Sequence, residues 1–398
     1  VPAVRRLPVV ADLTLVTAGA MTANVAGYLL QVLASRWLGV AGFSEFASLL
    51  AVQLLCAVPA LALQNVVARE LVRGASVAAL RRLQWRCAVI VAVLAAALVP
   101  LVTLALDVNV LACAAALGAA PALVLLAGEQ GILQGSNRFR QLAVVLGFAG
   151  IARVAPALVV LVLGGGTSAA LGAAALGLAA AAVFARFVAG APQIRAVLAE
   201  HTVGVLPVIR AAQVQAALMA LSSADLIVVR MVLGDTDDAS RYALGTVATK
   251  IAFWLPQAVG VVLYPRMAQP THSARAIRDA LAVLSGIGIV AVLGAALAAP
   301  LAPLFAGSDY APIQGLLWLF ALHGAILAVL QGAVLSAIAL DRTSLAALAW
   351  VGLAVEVTLT LLFADSIPAL ITICVCVAAT TTAVVAATVL RTADTPAD

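Results

Sequence analysis

CAVIVAVLAAALVPLVTLAL at residues 87–106, a break at Asp107-Val108, and NVLACAAALGAAPALVLLAGEQGILQ at residues 109–134 decide the fold of this chain. Crossing the hydrocarbon of a bilayer as a helix takes about 20 predominantly apolar residues, and two such lengths stand here back to back with a polar turn between them. Both faces of each stretch are apolar, with Ala, Leu and Val running on without alternation. A transmembrane β-barrel would instead show strands of about 10 residues alternating apolar and polar. Helix is therefore the reading, and the turn at Asp107 predicts an antiparallel pair.

Working outward, the same pattern predicts spans at 9–35, 42–68, 141–163, 167–190, 208–233, 241–265, 280–305, 311–339, 344–363 and 366–390. With the first pair this makes an all-α integral membrane protein of about twelve transmembrane helices. Composition agrees: 65% of the 398 residues are hydrophobic and 10% charged, against about 25% charged in soluble domains. The longest polar breaks, at 69–86, 191–207 and 266–279, are too short to fold as extramembrane domains. Any site must be built from the helices.

The formal net charge of +5 invites a nucleic-acid reading, which position excludes. Lys250 is the single lysine; Arg69, Arg73, Arg81, Arg82, Arg86, Arg138, Arg140, Arg186, Arg195, Arg210, Arg275, Arg278 and Arg391, with most of the other arginines, fall on one side of a twelve-span arrangement, and Arg36, Arg230 and Arg241 on the other. Basic residues are retained on the cytoplasmic side, so both termini are expected there, in a multi-pass protein of the cytoplasmic membrane. Arg5 and Arg6 precede an apolar run too long for a signal-peptide core. The cysteines Cys56, Cys87, Cys113, Cys374 and Cys376 have neither metal-site nor disulfide spacing and read as small packing residues. Gly164-Gly165-Gly166 reads as a tight external turn; no lysine-bearing helix start follows it, so it does not cradle a phosphate. No metal, nucleotide or other cofactor is expected.

The halves repeat. Arg36-Trp37-Leu38-Gly39, Phe46, Pro59 and Arg69 in the first are echoed by Arg230-Met231-Val232-Leu233-Gly234, Tyr242, Pro256 and Arg266 in the second, and Arg138 by Arg342. Six spans per repeat is an even number, so the halves share one topology. They are predicted as two six-helix lobes, residues 1–200 and 201–398, related by a pseudo-two-fold axis along the membrane normal.

Arg36-Trp37-Leu38-Gly39, Phe43-Ser44-Glu45-Phe46, Val66-Val67-Ala68-Arg69-Glu70, Ala224-Asp225-Leu226 and Leu263-Tyr264-Pro265-Arg266 resemble the polysaccharide-transporter branch of the multidrug, oligosaccharidyl-lipid and polysaccharide exporter superfamily. The resemblance covers nearly the whole chain through loose motifs. It implies two lobes around a central cavity and transport of lipid-linked glycans by alternating access. The lipid II flippase branch is similar but carries fourteen spans. The first half here also lacks the acidic ion-coupling cluster of antiporter branches.

Ionisable groups deep in a span are the default site candidates, because each costs several kcal/mol unless it meets a partner or a wet cavity. Lys250 and Asp225 lie at matching depth in the eighth and seventh spans, with Thr246, Phe253, Gln257 and Gly260 on the Lys250 face and Gln215 and Ser222 on the Asp225 face. They are expected either to pair as interhelical glue or to line a cavity wall that binds a polar head group. Arg153 in the fifth span could present a fork to phosphate oxygens or bond backbone carbonyls. Asn24, with Thr17 and Tyr28, and Gln53, with Gln64, give polar faces to the first two spans. Glu356 and His323 are single ionisable groups that could carry a coupling proton. Asp12 and Glu129, near the cytoplasmic boundary, are expected to be solvated or to snorkel.

The resulting expectation is a flippase, not an enzyme, in which Arg153, Lys250, Asp225, Asn24, Gln53 and Gln257 hold a lipid-linked oligosaccharide. Membrane lipids and glycan-assembly proteins are the expected partners. The alternatives are a small-molecule or drug antiporter of the same fold and a polytopic glycosyltransferase or polymerase, the last disfavoured by the short loops. The topology is testable at once: in a background without native cysteines, Asp237→Cys should label with an impermeant thiol reagent from outside and Arg275→Cys only from inside. Labelling of both from one side contradicts it.

Overall fold

A computed structural model describes residues 6–190, 204–232, 236–268, 273–301, 308–340 and 345–394. Its helices are α1 (Arg6–Trp37), α2 (Gly39–Val72), α3 (Val77–Leu106), α4 (Val110–Gly135), α5 (Phe139–Val162), α6 (Thr167–Ala189), α7 (Leu206–Leu221), α8 (Ala224–Val232), α9 (Thr236–Trp254), α10 (Gln257–Met267), α11 (Ser273–Ala298), α12 (Leu317–Ala339), α13 (Ala346–Phe363) and α14 (Ile367–Asp394). Short 3-10 helices follow α11 and precede α12. Among the described residues there is no strand, and nine helices are long and apolar enough to cross a membrane. The outer faces match that role: Leu104 on α3 and Leu297 on α11 are each more than four-fifths exposed, with lipid as their solvent. The chain is a multi-pass membrane protein.

Each expected span falls on helix, but two are interrupted. The seventh breaks at Ser222-Ser223 between α7 and α8, and the eighth at Leu255-Pro256 between α9 and α10. Pro256 has no N–H to give to the helix ladder. At the other break the Ser222 hydroxyl donates to the Met219 carbonyl at 2.9 Å, competing with the regular backbone pattern. By contrast Pro59, Pro100, Pro121 and Pro156 sit inside unbroken helices. The eleventh helix starts at Ser273 and ends at Ala298, earlier at both ends than its predicted span.

The chain divides into two compact units, Val1–Ala212 and Gln213–Asp398, the division falling within α7. The expected lobe boundary at residue 200 lies outside the described residues. Within the first unit α2 packs on α4, α1 on α5, α3 on α4, and α6 on both α4 and α5; within the second α9 packs on α12, α8 on α13, α11 on α12, and α14 on both α12 and α13. Taking α7–α8 and α9–α10 each as one interrupted span, the second set of pairings is the first advanced by six spans. The repeat read from scattered residues is thus a repeat of packing.

Helix association in lipid gains little from the hydrophobic effect and depends on close approach through small residues. A Cβ at Gly131 of α4 would meet the Gln64 carbonyl oxygen of α2, and one at Gly324 of α12 would meet the Thr249 carbonyl oxygen of α9. These are equivalent interfaces in the two units. Gly131→Ala and Gly324→Ala should each cost about 1–3 kcal/mol through overpacking, read as a lowered melting temperature in detergent. Gly172→Ala, where a Cβ meets nothing within 4 Å, should not. Equal melting of all three would contradict this packing.

Candidate functional site

The break in the seventh span organises the polar interior of the second unit. A helix that stops leaves carbonyls without intrahelical donors, and Lys250 of α9 reaches across to one of them: its Nζ donates to the Ser222 carbonyl at 2.9 Å and to Ser223 Oγ at 3.1 Å. Asp225, in the first turn of α8, is buried and accepts a 2.9 Å hydrogen bond from the Tyr242 hydroxyl of α9. Of the pairing and cavity readings neither is decided by these bonds: Lys250 meets the end of α7 while Asp225 takes a phenol. The broken ladder offers the ammonium group a backbone oxygen. Asp225 also lies within electrostatic range of Lys250, of His323 of α12 and of Glu356 of α13.

His323 and Glu356 are more unusual. His323 has no exposed surface and Glu356 is 1% exposed. Neither ring nitrogen of the first has a hydrogen-bond partner among the described residues, and the carboxyl oxygens of the second have no nitrogen or oxygen partner there, only the Cys374 thiol beside them. Cys374 of α14, also buried, completes the group beside Glu356 and Tyr242. Tyr242 is fixed by an edge contact with Phe320, ring centroids 5.1 Å apart, while the Phe320 carbonyl accepts from Thr249 at 2.9 Å. Five helices thus bring two carboxyls, an imidazole, an ammonium, a phenol and a thiol into one largely buried region. Uncompensated polar groups of this kind cost about 1–3 kcal/mol each, more if charged, and persist where they serve a function.

In the first unit Arg153 of α5 donates through Nη2 to Gln53 Oε1 at 2.6 Å, and Gln53 Nε2 reaches the Ala116 carbonyl of α4 at 3.4 Å. Arg153 Nε is buried with no partner among the described residues. The polar faces of the first two spans separate: Asn24 is exposed, Gln53 is buried on Arg153, and Gln64 Nε2 binds Gln134 Oε1 at 3.0 Å. The side chains of Gln257, Tyr28 and Asp12 lie outside the described residues, and the break at Pro256 interrupts the stripe that was to join Gln257 to Lys250.

Glu129 corrects the sequence reading most plainly. Expected at a wet boundary, it is 1% exposed. It accepts from Arg81 Nε and Nη2 at 3.0 and 2.9 Å, from Gln84 Nε2 at 2.8 Å and from Arg186 Nη1 at 3.4 Å. Arg81 and Gln84 lie three apart on α3, a spacing that puts both on one helix face; that spacing was the available signal. Tyr242 was likewise overlooked as a site residue, being noted only as part of the repeat.

No protein-family model and no curated protein sequence matches the chain. Solved structures do. The Vibrio cholerae MATE transporter VcmN in its bent form superposes with a TM-score of 0.73 at 14% identity, over 97% of this chain and 98% of that one. The chain shares its fold with solved transporters of the MOP superfamily. A MOP-superfamily transporter from Pyrococcus furiosus, described as having a binding pocket of reversed polarity, gives 0.72 at 14% identity over 96% and 94% of the two chains. The eukaryotic MATE transporter AtDTX14 gives 0.65 at 14% over 97% and 99%.

Within this MOP fold the Arg81–Glu129 pair is structural and yields a direct prediction. Arg81→Ala strands a buried carboxylate and should destabilise by about 3–5 kcal/mol. Arg81→Met combined with Glu129→Leu should recover most of that loss, read as thermal stability in detergent. A single variant as stable as wild type would contradict the pairing.

Proposed function

We propose that this protein is an ion-coupled exporter of small molecules, working by alternating access, with Asp225 and Glu356 as the coupling carboxyls. The observation that carries this is Glu356: a carboxyl buried in the second unit with no partner among the described residues but the Cys374 thiol beside it, and within electrostatic range of Asp225. Two carboxyls at this depth are tolerable when a proton or a small cation occupies the region. Their affinity for that ion changes whenever the surrounding helices move. A conformational change that alters ion affinity is, by linkage, driven by the ion. The neighbours, among them MATE transporters, support an antiporter of this fold more than the polysaccharide branch expected from the sequence motifs.

Flipping of a lipid-linked glycan remains the second reading, favoured by Arg153, whose buried Nε has no partner among the described residues, and by Lys250. Partly buried cations in both units suit a diphosphate that must be stripped of water. In that case Gln53 and Asn24 would serve sugar hydroxyls, and glycan-assembly proteins would be the partners.

The two separate experimentally. In everted vesicles with an imposed proton or sodium gradient, Asp225→Asn and Glu356→Gln, made singly, should each abolish gradient-driven movement of ethidium while membrane abundance is unchanged. Arg153→Gln should retain it. Undiminished, gradient-driven transport in both carboxyl variants overturns the coupling assignment. A lipid-linked glycan stranded on the cytoplasmic leaflet in depleted cells, with transport lost in Arg153→Ala and Lys250→Ala, would instead establish the flippase.

A further inference from the structure

The arginine-rich end of the first unit carries a feature that transport chemistry does not use. Between the start of α3 and the end of α6 lies an open hollow of about 390 Å³ lined by Ala78, Arg81, Arg82, Trp85, Arg86 and Arg186. Four guanidinium groups converge there. The carboxylate beneath them, Glu129, is already shared among Arg81, Gln84 and Arg186. Among the described residues the lining of the hollow holds four arginines and no acid.

Its walls are held in place before any ligand arrives. Arg81 Nη2 donates to the Gly190 carbonyl at 2.8 Å, and Arg138 donates to the carbonyls of Ala189 and Val188 at 2.8 and 2.7 Å. Three carbonyls at the end of α6, which would otherwise lack donors, are thus tied to guanidinium groups of the same unit. Arg186, one turn earlier, is held on Glu129 of α4 with half of its side chain exposed. Preorganisation of this kind lowers the cost of binding.

The surface leading out of the hollow is apolar. From Trp85 and Arg86, both exposed, steps of four residues along α3 reach Val89 and Val93, and Ile90 and Leu94, all of them exposed. On α6 the neighbours of Arg186 are the exposed Val183 and Phe187. Residues four apart form continuous ridges on one helix face, so two apolar ridges run from the arginines into the part of α3 that crosses the bilayer. A half-exposed tryptophan at their head is the side chain found at the membrane–water interface. The ligand that matches an open basic hollow of this size leading onto lipid-facing ridges is an amphiphile with an anionic head.

We propose that this hollow binds the head group of an anionic phospholipid, with Arg82, Arg86 and Arg186 around the phosphate, Trp85 at the glycerol level and the acyl chains along the exposed face of α3. Basic pockets between transmembrane helices recognise lipid head groups through this combination of charge and depth. Arg81 stays committed to Glu129 and forms the floor.

The test is native mass spectrometry of the full-length protein in detergent with phosphatidylglycerol, phosphatidylcholine or sodium phosphate as the probe. Wild type should retain phosphatidylglycerol in preference to phosphatidylcholine, and excess sodium phosphate should not displace it. Each of Arg82→Gln, Arg86→Gln and Arg186→Gln should weaken retention about fivefold, and the triple variant about a hundredfold. Melting of Arg82→Gln and Arg86→Gln in phosphatidylcholine should match wild type, since neither touches the Arg81–Glu129 pair. Arg186→Gln also removes a 3.4 Å contact to Glu129, so its loss of phosphatidylglycerol is read against phosphatidylcholine on the same variant. The single variants keep the test decisive if the triple variant does not fold. Unchanged phosphatidylglycerol retention in the single variants, equal retention of the two lipids, or displacement by free phosphate would each overturn the proposal.

Discussion

Hydrocarbon offers no hydrogen bonds, and the structure is organised by that constraint. Every backbone donor and acceptor in the bilayer must be satisfied inside its own helix or by a neighbour, so an apolar chain of this length becomes a set of helices. Where a helix stops, something must answer for the exposed carbonyls. At Ser222 the answer is Lys250, and at the end of α6 it is Arg81 and Arg138. The scarce charges of this chain are in good part assigned to broken or finished helices, and this assignment places the candidate site in the second unit.

The same constraint explains the reliance on glycine. With lipid as apolar as leucine, helices gain from meeting one another only where their backbones come close. Gly131 and Gly324 allow that at corresponding interfaces of the two units. The two units differ in what their interiors carry. The first holds Arg153 bonded to Gln53 and a Glu129 carboxylate already matched by Arg81 and Gln84, whereas the second holds Asp225, Glu356, His323 and Lys250 within electrostatic reach of one another. A duplicated scaffold with one polar interior suited to binding a small cation is an asymmetry that an ion-driven transporter can use.

Much of this was legible beforehand because membrane insertion writes itself in composition. Span positions, the helical class and the internal repeat follow from run length and from Arg36, Pro59 and Arg69 with their counterparts. The ionisable residues Asp225, Lys250, His323 and Glu356 stood out because each is costly in its span. Their partners did not. Whether Lys250 meets Asp225 or a carbonyl depends on a break at two serines, and serine within an apolar run has no fixed meaning. Glu129 was misread because hydropathy places a residue along the membrane normal but says nothing of the direction it faces. Pairing with Arg81 follows only from the packing of α3 on α4. The resemblance to the polysaccharide branch rested on loose motifs at helix ends, which fold similarity reaches across without distinguishing branches.

The central claim is that the buried carboxyls of the second unit take up an ion. Ion uptake into a membrane-embedded site displaces charge even without substrate turnover. Purified protein in proteoliposomes adsorbed on a sensor membrane, exposed to a rapid step in proton or sodium concentration, should therefore give a transient current that Glu356→Gln removes. A current of wild-type size in that variant, or none in the wild type with either ion, would contradict the account.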